Sequence, residues 1–133
     1  MSHKNCVFCR IVHFEIPSSK VFEDEKVLAF LDITPVNKGH VLVIPKEHHQ
    51  MMTDTPDELV AEVFTQAKKI MKNIKKAYGA DFVTLSVVGL DVPHFHVHLI
   101  PRYKDDGLAN WWPTQEYGEG EIESYRKKLL QIS

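Results

Sequence analysis

The chain has 133 residues, of which 44% are hydrophobic and 26% charged, and its formal net charge is -2. This length supports one domain with its own core, and the near-balanced charge disfavours a nucleic-acid binder held by bulk electrostatics. No apolar stretch approaches the roughly 20 residues that a membrane-spanning helix needs. Because there is no apolar signal segment and the two cysteines form a Cys-x-x-Cys pair, we expect a cytoplasmic protein without a disulfide framework.

Short strand-like runs separated by turn signals fill the first part of the chain. Residues 20–23 and 26–32 flank the polar turn Asp24-Glu25, which predicts a hairpin. The apolar run 41–44 follows turn residues and is closed by Pro45, as is typical of a buried strand.

A long amphipathic helix is predicted from Thr55 to Tyr78. Thr55 is expected as N-cap, Pro56 as the first helical residue, Glu58 as a capping-box acid and Gly79 as the C-terminal cap. Its apolar residues recur at helical spacing; they are Leu59, Val60, Val63, Phe64, Ala67, Ile70, Met71, Ile74 and Tyr78. We interpret the lysine-rich opposite side as a solvated face.

Two further strands, 82–88 and 93–101, are predicted after this helix. Residues 105–120 read as a loop, and the helical spacing of Ile122, Tyr125, Leu129 and Ile132 predicts a short amphipathic helix. The pattern therefore predicts an α+β fold with about five strands in a mostly antiparallel sheet, one long helix and a short C-terminal helix.

Three histidines alternate along the predicted strand 93–101. Successive side chains of a strand point to opposite faces, so His94, His96 and His98 share one face. The apolar residues between them share the other face and can pack on the long helix. Because three imidazoles make poor core material, we expect the histidine face to look onto a polar cleft or solvent.

The spacing of these histidines disfavours one metal ion bound by all three. Neighbours in the row lie ~6.6 Å apart and the outer two ~13 Å, whereas zinc ligands all lie ~2 Å from the ion. Two rings could share a metal, which leaves at least one for other work. A neutral imidazole can be a nucleophile and a protonated one binds anions, so the row favours phosphoryl or nucleotidyl transfer.

The sequence His-x-His-x-His followed by apolar residues resembles the signature of the histidine-triad (HIT) family. Other segments resemble the Hint-like branch of that family in the same order and spacing: Phe8-x-x-Ile11, Glu15-Ile16-Pro17, Phe30-Leu31-Asp32-Ile33, the run 39–48 and Ile100-Pro101-Arg102. The resemblance implies a HIT-like α+β fold, a homodimer whose two sheets join into one, and a purine nucleotide as substrate.

The resemblance also implies a role for each matching residue. His96 would be the nucleophile that attacks the α-phosphorus and forms a nucleotidyl-histidine intermediate, which water then hydrolyses. His40, His98 and Gly89 would contact the phosphate, and Asp32 would hold the ribose hydroxyls. Phe8, Ile11, Phe30, Leu31 and Ile33 would wall the base pocket. For these apolar residues core packing is an open alternative, and Asp32 could instead be a turn residue before Thr34-Pro35.

Two positions depart from the pattern of many relatives. Leu90 replaces a glutamine, and Asp91 stands where some relatives carry a serine. A carboxylate beside a phosphate repels it unless it turns away or pairs with a histidine. The preferred leaving group therefore stays open.

Cys6 and Cys9 could join two histidines in a tetrahedral Cys₂His₂ zinc centre. The resemblance implies Cys6, Cys9, His48 and His94 as ligands of a structural zinc, with no catalytic metal. His49 competes with His48 for this position, and two free thiols are the alternative. A redox role is disfavoured because no helix is predicted behind the cysteines.

The leading hypothesis is a nucleoside phosphoramidase or nucleotidyl hydrolase. The alternatives are a dinucleoside polyphosphate hydrolase, a nucleotide-binding adaptor with incidental hydrolysis, and a metal-dependent hydrolase that uses the triad as ligands. We expect residues 1–110 to form the HIT domain. Residues 111–133 would form a tail of the same domain, with Trp111-Trp112 and the last helix near the partner's cleft in a dimer.

Overall fold

Five strands form an antiparallel sheet at the centre of the fold in the computed structural model, which describes residues 5–109 and 112–132. The strands are β1 (Lys20–Glu23), β2 (Val27–Leu31), β3 (Val41–Pro45), β4 (Phe82–Ser86) and β5 (Val97–Arg102). Their order in the sheet is β1-β2-β3-β5-β4. The helices are α1 (Val7–Val12), α2 (Asp57–Tyr78) and α3 (Glu121–Leu130), and a 3₁₀ turn spans Met52–Asp54. The predicted antiparallel sheet, long helix and C-terminal helix are confirmed.

The long helix α2 covers one face of the sheet. Its buried residues Val63, Ala67, Ile70 and Ile74 pack against side chains from β2, β3 and β5. Phe95, Val97 and Leu99 belong to this cluster, so the apolar residues between the histidines do pack on the long helix, as predicted. The helix ends at Gly79 in the left-handed conformation, as predicted, with its N–H bonded to the Lys75 carbonyl.

The predicted start of α2 is one residue too early. The helix begins at Asp57, Pro56 occupies the cap, and no side chain caps it. The Thr55 hydroxyl instead donates to the Met51 carbonyl, 2.8 Å away, within the preceding 3₁₀ turn. The expected capping box does not form, because the cap position falls on Pro56, whose side chain has no hydrogen-bonding group.

The short helix α1, which the sequence did not predict, covers the other face of the sheet. Phe8, Cys9 and Ile11 of this helix are buried in a second apolar cluster with Leu28, Phe30, Leu42 and Ile44. The Cys6 sulfur accepts the Cys9 N–H at 3.3 Å and so caps the helix. Six residues are too few to show helical periodicity, and β-branched residues lower helix propensity.

The last strand starts later than predicted. Residues 93–96 precede β5 because their polar groups bond outside the sheet: the Phe95 N–H donates to the His49 carbonyl at 2.7 Å, and the His94 carbonyl accepts from the His96 ring. The alternation of side chains persists through this segment, yet the expected exposure of the histidine face is wrong. His94 is fully buried and His96 is 3% exposed. Both lie under α1, whose Phe8 ring meets them edge to face.

No helix in the described part of the chain has both the length and the apolar character required to cross a membrane.

Gly39, which precedes His40, is held against the end of α2. Its φ is +96°, and a Cβ at this position would lie 2.5 Å from the Tyr78 ring. Gly107 also has a positive φ, of +75°, but a Cβ there would meet nothing within 4 Å. Substitutions at these two glycines therefore distinguish the effect of backbone strain from that of a steric clash.

We expect Gly39→Ala to lower the free energy of unfolding by about 2–4 kcal/mol, since the alanine combines backbone strain with overpacking. Gly107→Ala, the matched control, should cost only about 1–2 kcal/mol because it adds the strain alone. Urea denaturation at equilibrium measures both values. Equal losses in the two variants would contradict a close packing role for Gly39.

Candidate active site and metal centre

The ring of His96 is fixed in one tautomer by the backbone. Its Nδ1 lies 2.7 Å from the His94 carbonyl oxygen. Because a carbonyl can only accept, Nδ1 must carry the hydrogen. In the neutral ring the lone pair is then on Nε2, the nitrogen that is available as a nucleophile or base.

His40 and His98 form a directed hydrogen-bond chain beside His96. The Val36 backbone N–H donates to His40 Nδ1 at 3.1 Å, so the hydrogen of the neutral His40 ring sits on Nε2. That nitrogen is 3.0 Å from His98 Nδ1 and donates to it. His98 must therefore carry its own hydrogen on Nε2.

The N–H at the end of this hydrogen-bond chain meets no acceptor in the described part of the protein. His98 Nε2 is buried and has no hydrogen-bond partner among the described residues. The His98 ring packs against His96, with ring centroids 4.9 Å apart. A buried donor without a partner is costly, so its presence indicates a place for an acceptor from a ligand.

Burial keeps these imidazoles neutral. Loss of solvent lowers the pKa of His40, and the nearby Asp32 charge partly opposes this effect. Burial is also the main cause that lowers the pKa of His98, followed by the neighbouring rings of His96 and His40, while Asp32 and Asp91 raise it. The neutral forms that define the hydrogen-bond chain are thus favoured.

Asp32 lies at the edge of this chain and has two roles for its two oxygens. Oδ1 accepts from the Thr34 N–H at 2.9 Å and from the Thr34 hydroxyl at 3.2 Å, which fits the turn interpretation. Oδ2 lies 3.8 Å from His40 Nε2. The turn therefore positions the carboxylate next to the imidazoles, so Asp32 is a turn residue that is also available to the site.

The structure brings together only part of the predicted base pocket. Phe8, Ile11 and Phe30 lie in the cluster beneath α1, and Phe8 contacts His96. Leu31 packs with the cluster on the α2 side, because neighbouring strand residues point to opposite faces. Ile33 is 94% exposed beyond the end of β2.

The loop between β4 and β5 borders the His96 ring. A cavity of about 160 Å³ is lined by His96 and Gly89, and by Gln50, Met51, Met52, Thr53, Val87, Val88 and Phe95. Gly89 has a φ of +76° and open space at its Cβ position, so its backbone is accessible. Leu90 and Asp91 are exposed on the same loop.

Two cysteines and two histidines form a second cluster behind the triad. Ligand atoms of Cys6, Cys9, His48 and His94 all lie within 4.8 Å of one another. His94 Nδ1 is 3.3 Å from the Cys6 sulfur and 3.5 Å from the Cys9 sulfur, and His48 Nδ1 is 3.1 Å from the Cys9 sulfur. Among the triad, only His94 takes part in this cluster.

The His94 tautomer suits a metal ligand. Its Nε2 donates to the Pro45 carbonyl at 2.8 Å, so Nδ1 presents a lone pair to the two sulfurs. Burial lowers the pKa of His94 to about 4, which keeps this ring neutral. Two thiols and two imidazoles match the donor set of structural zinc sites, so the residues present fit the metal that the sequence implied.

The neighbouring histidines have other surroundings. His49 Nε2 lies 2.6 Å from Glu47 Oε1, so the structure places His48 rather than His49 in the cluster. His13 is exposed after α1. The expectation that no helix follows the first cysteine is wrong, because α1 begins directly after Cys6. The absence of a helix is therefore no argument against a redox role for the Cys-x-x-Cys pair.

Sequence reasoning missed the backbone groups that set the three tautomers. The Val36 N–H and the carbonyls of Pro45 and His94 are invisible in a residue pattern, since every residue offers such groups. The sequence predicts Phe8 only as a base-pocket residue. The position of Phe8 on a short helix, which brings its ring against His94 and His96, cannot be recognised from the sequence pattern.

Comparisons with known proteins identify the family of this chain. The model of the HIT domain matches residues 13–105. The adenosine 5'-monophosphoramidase HNT1 of Saccharomyces cerevisiae is 39% identical over 127 residues, which cover 94% of this chain and 80% of the yeast protein.

Solved structures give the same picture. The crystal structure of a HIT family member from Bacillus subtilis superposes with a TM-score of 0.88 at 37% identity and covers 98% of each chain. A zinc-bound histidine triad family protein from Mycobacterium smegmatis gives a TM-score of 0.76 at 34% identity, covering 96% of this chain and 95% of that one. The chain belongs to the HIT domain family.

Proposed function

We propose that the protein is a hydrolase that cleaves nucleoside 5'-phosphoramidates at the α-phosphorus through a covalent nucleotidyl-His96 intermediate. The observation that carries this proposal is that two neighbouring histidine rings present complementary nitrogens. His96 Nε2 carries a lone pair, and His98 Nε2 carries a buried hydrogen that has no acceptor among the described residues. The first can attack phosphorus, and the second can donate to a phosphoryl oxygen. The name of the yeast relative supports the substrate class.

Two displacements at phosphorus make up the reaction. His96 Nε2 forms a bond to the α-phosphorus while the bond to the leaving nitrogen breaks, and that nitrogen leaves as an amine with a proton from solvent water. A water oxygen then forms a bond to phosphorus while the bond to Nε2 breaks, the water loses a proton to solvent, and the nucleoside monophosphate is released. The hydrogen bond from His96 Nδ1 to the His94 carbonyl stabilises the ring as positive charge develops on it.

Residues around the nucleophile would bind the rest of the substrate. Asp32 Oδ2, next to His40, can accept hydrogen bonds from ribose hydroxyls. The Gly89 backbone, beside the cavity at His96, would admit the phosphate. Phe8, Ile11 and Phe30 would support the base from beneath α1, whereas the positions of Leu31 and Ile33 give them a weaker claim to that role.

We also propose that Cys6, Cys9, His48 and His94 hold a structural zinc ion that anchors α1 to the sheet. Four protein ligands would close its coordination, so the ion would supply folding energy rather than an open catalytic position. A catalytic metal on His40 is disfavoured, because its Nδ1 accepts the Val36 N–H and its Nε2 must then carry a hydrogen. The proposed assembly is a homodimer.

Replacing the nucleophile should stop turnover without unfolding the protein. His96→Ala is expected to lower hydrolysis of an adenosine phosphoramidate by about 10³-fold or more, because it removes the lone pair on His96 Nε2 that attacks phosphorus. Titration calorimetry with AMP should still show binding. His13→Ala, at an exposed histidine, is the matched control and should retain full turnover. Unchanged turnover in His96→Ala would remove the nucleophile from the proposal.

A substrate panel separates this reaction from the alternatives. Adenosine and guanosine phosphoramidates and dinucleoside polyphosphates are assayed with and without a chelator. We expect faster turnover of the phosphoramidates and no immediate effect of the chelator. Faster cleavage of the polyphosphates would favour the dinucleoside polyphosphate hydrolase, immediate loss with chelator would favour metal catalysis, and negligible turnover of every substrate would favour the adaptor.

Zinc content should depend on one of two adjacent histidines. We expect elemental analysis of the untagged protein to find about one zinc per chain. His48→Gln should lose most of it, whereas His49→Gln, whose side chain pairs with Glu47, should keep it. A wild-type protein without zinc after gentle purification, or equal zinc in both variants, would contradict the site.

The lowered pKa values of His40 and His98 make stability depend on pH. In the unfolded chain these rings titrate near 6.5, whereas in the folded protein they bind protons only at lower pH. The unfolded state thus gains more protons on acidification, so the free energy of unfolding should fall between about pH 7.5 and about pH 5.

Urea denaturation of the wild type and of His98→Asn across this range measures the dependence. The variant should show a shallower fall, since one of the histidines with a lowered pKa is gone. His13→Asn should follow the wild type. A stability that stays flat or rises on acidification would contradict the burial of neutral rings.

A further inference from the structure

The side chain of Asn37 ties the loop between β2 and β3 to strand β5. Its carboxamide nitrogen lies 2.8 Å from the Pro101 carbonyl oxygen and 3.3 Å from Asp106 Oδ2, so both of its hydrogens have acceptors. The pairing of β3 with β5 ends at Val41 and Leu99, and Pro101 lies beyond that end. Asn37 therefore continues the contact between the loop and β5 past the last pair of the two strands.

Asp106 is a firm anchor for this contact. Its side chain is 6% exposed, and Oδ2 accepts from Arg102 Nε at 2.7 Å. The Tyr103 N–H donates to Oδ2 and the Leu108 N–H donates to Oδ1, both at 3.0 Å. Because charge-assisted hydrogen bonds of this kind are strong, the Asn37 amide meets an acceptor that is held from outside the loop.

The preceding part of the loop does not pack on the protein in the same way. The side chains of residues 33–36 are exposed. Thr34 bonds to the Asp32 carboxylate, which fixes the start of the loop. Asn37 is half-buried and follows Val36 directly, so its carboxamide fixes the Val36 backbone from the other side.

The position of the Val36 N–H determines the direction of the hydrogen-bond chain. This N–H donates to His40 Nδ1 at 3.1 Å, so the His40 hydrogen lies on Nε2 and is donated to His98 Nδ1. The Asn37 carbonyl in turn accepts the His40 backbone N–H at 3.1 Å. Asn37 thus holds both partners of the contact that sets the His40 tautomer.

Loss of the Val36 contact would allow the chain to run in the opposite direction. His40 could then carry its hydrogen on Nδ1, and its Nε2 would accept a hydrogen from His98 Nδ1. His98 Nε2 would present a lone pair in place of its N–H. A lone pair repels a phosphoryl oxygen, whereas the N–H binds it.

We propose that Asn37 is a positioning residue that sets the direction of the His40–His98 hydrogen-bond chain through the Val36 N–H. Its effect on turnover rests on the proposed function. Its effect on the two ring tautomers requires no reaction and can be measured without substrate.

Long-range proton–nitrogen NMR of the full-length protein at about pH 8, where histidines are neutral, shows which ring nitrogen carries the hydrogen. In the wild type, both His40 and His98 should carry it on Nε2. Asn37→Asp keeps the size of the side chain but donates no hydrogen bond, so both rings should show mixed tautomers. Val36→Pro removes the N–H itself and should give the same mixture. Lys38→Ala, at the exposed next residue of the loop, is the matched control and should resemble the wild type.

Turnover of an adenosine phosphoramidate measures the consequence. The net loss of one hydrogen bond changes an equilibrium about 10-fold, so kcat/KM of Asn37→Asp should fall about 10-fold. Most of the fall should be in kcat, because the phosphoryl oxygen gains charge in the transition state. Lys38→Ala should retain full turnover.

Unchanged tautomers in Asn37→Asp would overturn the positioning role, even if turnover fell, because a general loss of stability would then explain the fall. Wild-type rings with their hydrogens on Nδ1 would overturn it as well. If circular dichroism shows that Asn37→Asp does not fold, Asn37→Ser is judged by the same criteria. Tautomers that change as expected in a protein whose wild type does not hydrolyse the phosphoramidate would support the positioning role and overturn the proposed hydrolase.

Discussion

The hydrogen bond from the His96 ring to the His94 carbonyl connects the two clusters of this protein. On one side it fixes the hydrogen of His96 on Nδ1 and so leaves the lone pair on Nε2. On the other side, the same residue that supplies the carbonyl places its ring between Cys6 and Cys9. Any displacement of His94 within its cluster would move the acceptor that orients His96. The thiol cluster and the His96 ring are therefore connected through one short segment, residues 94–96.

The backbone groups that contact the histidine rings explain why two similar groups of side chains present different atoms, a lone pair in one group and a hydrogen in the other. His94 donates through Nε2 to a carbonyl and so offers a lone pair to the sulfurs, as a metal ligand must. His40 accepts at Nδ1 from an N–H, so its other nitrogen carries a hydrogen and passes it towards His98. Asp32, His40 and His98 have the composition of a metal site, but the Val36 N–H directs them to hydrogen-bond donation. Residue types alone do not distinguish these two outcomes.

Much of the fold could be predicted because it depends on periodic side chains. The spacing of Leu59 to Tyr78 defined α2, Gly79 its end, and the alternation around His96 the apolar face that packs on it. The helix α1 could not be predicted, since six residues carry no period and its cap is a cysteine. The expectation of a histidine face on a polar cleft or solvent rested on the polarity of the imidazoles, and it did not include α1, the element that buries His94 and His96. The tautomers were equally out of reach, since they depend on main-chain groups brought together only by the fold.

The loop that carries Val36 and His40 shows how far the positioning of the triad extends. Gly39 has no side chain and so lets this loop approach the Tyr78 ring at the end of α2. On its other side, the Asn37 amide donates to the Pro101 carbonyl at 2.8 Å and to Asp106 at 3.3 Å.

Asp106 is itself held by Arg102, with 2.7 Å between Arg102 Nε and the carboxylate, and this pairing holds the pKa of Asp106 well below its usual range. The carboxylate thus stays charged and keeps accepting from Asn37 across the working pH range. Both ends of this scaffold lie outside the triad, at the end of α2 and after β5. The direction in which His98 presents its N–H consequently depends on packing at the end of α2 and after β5 as well as on the histidines.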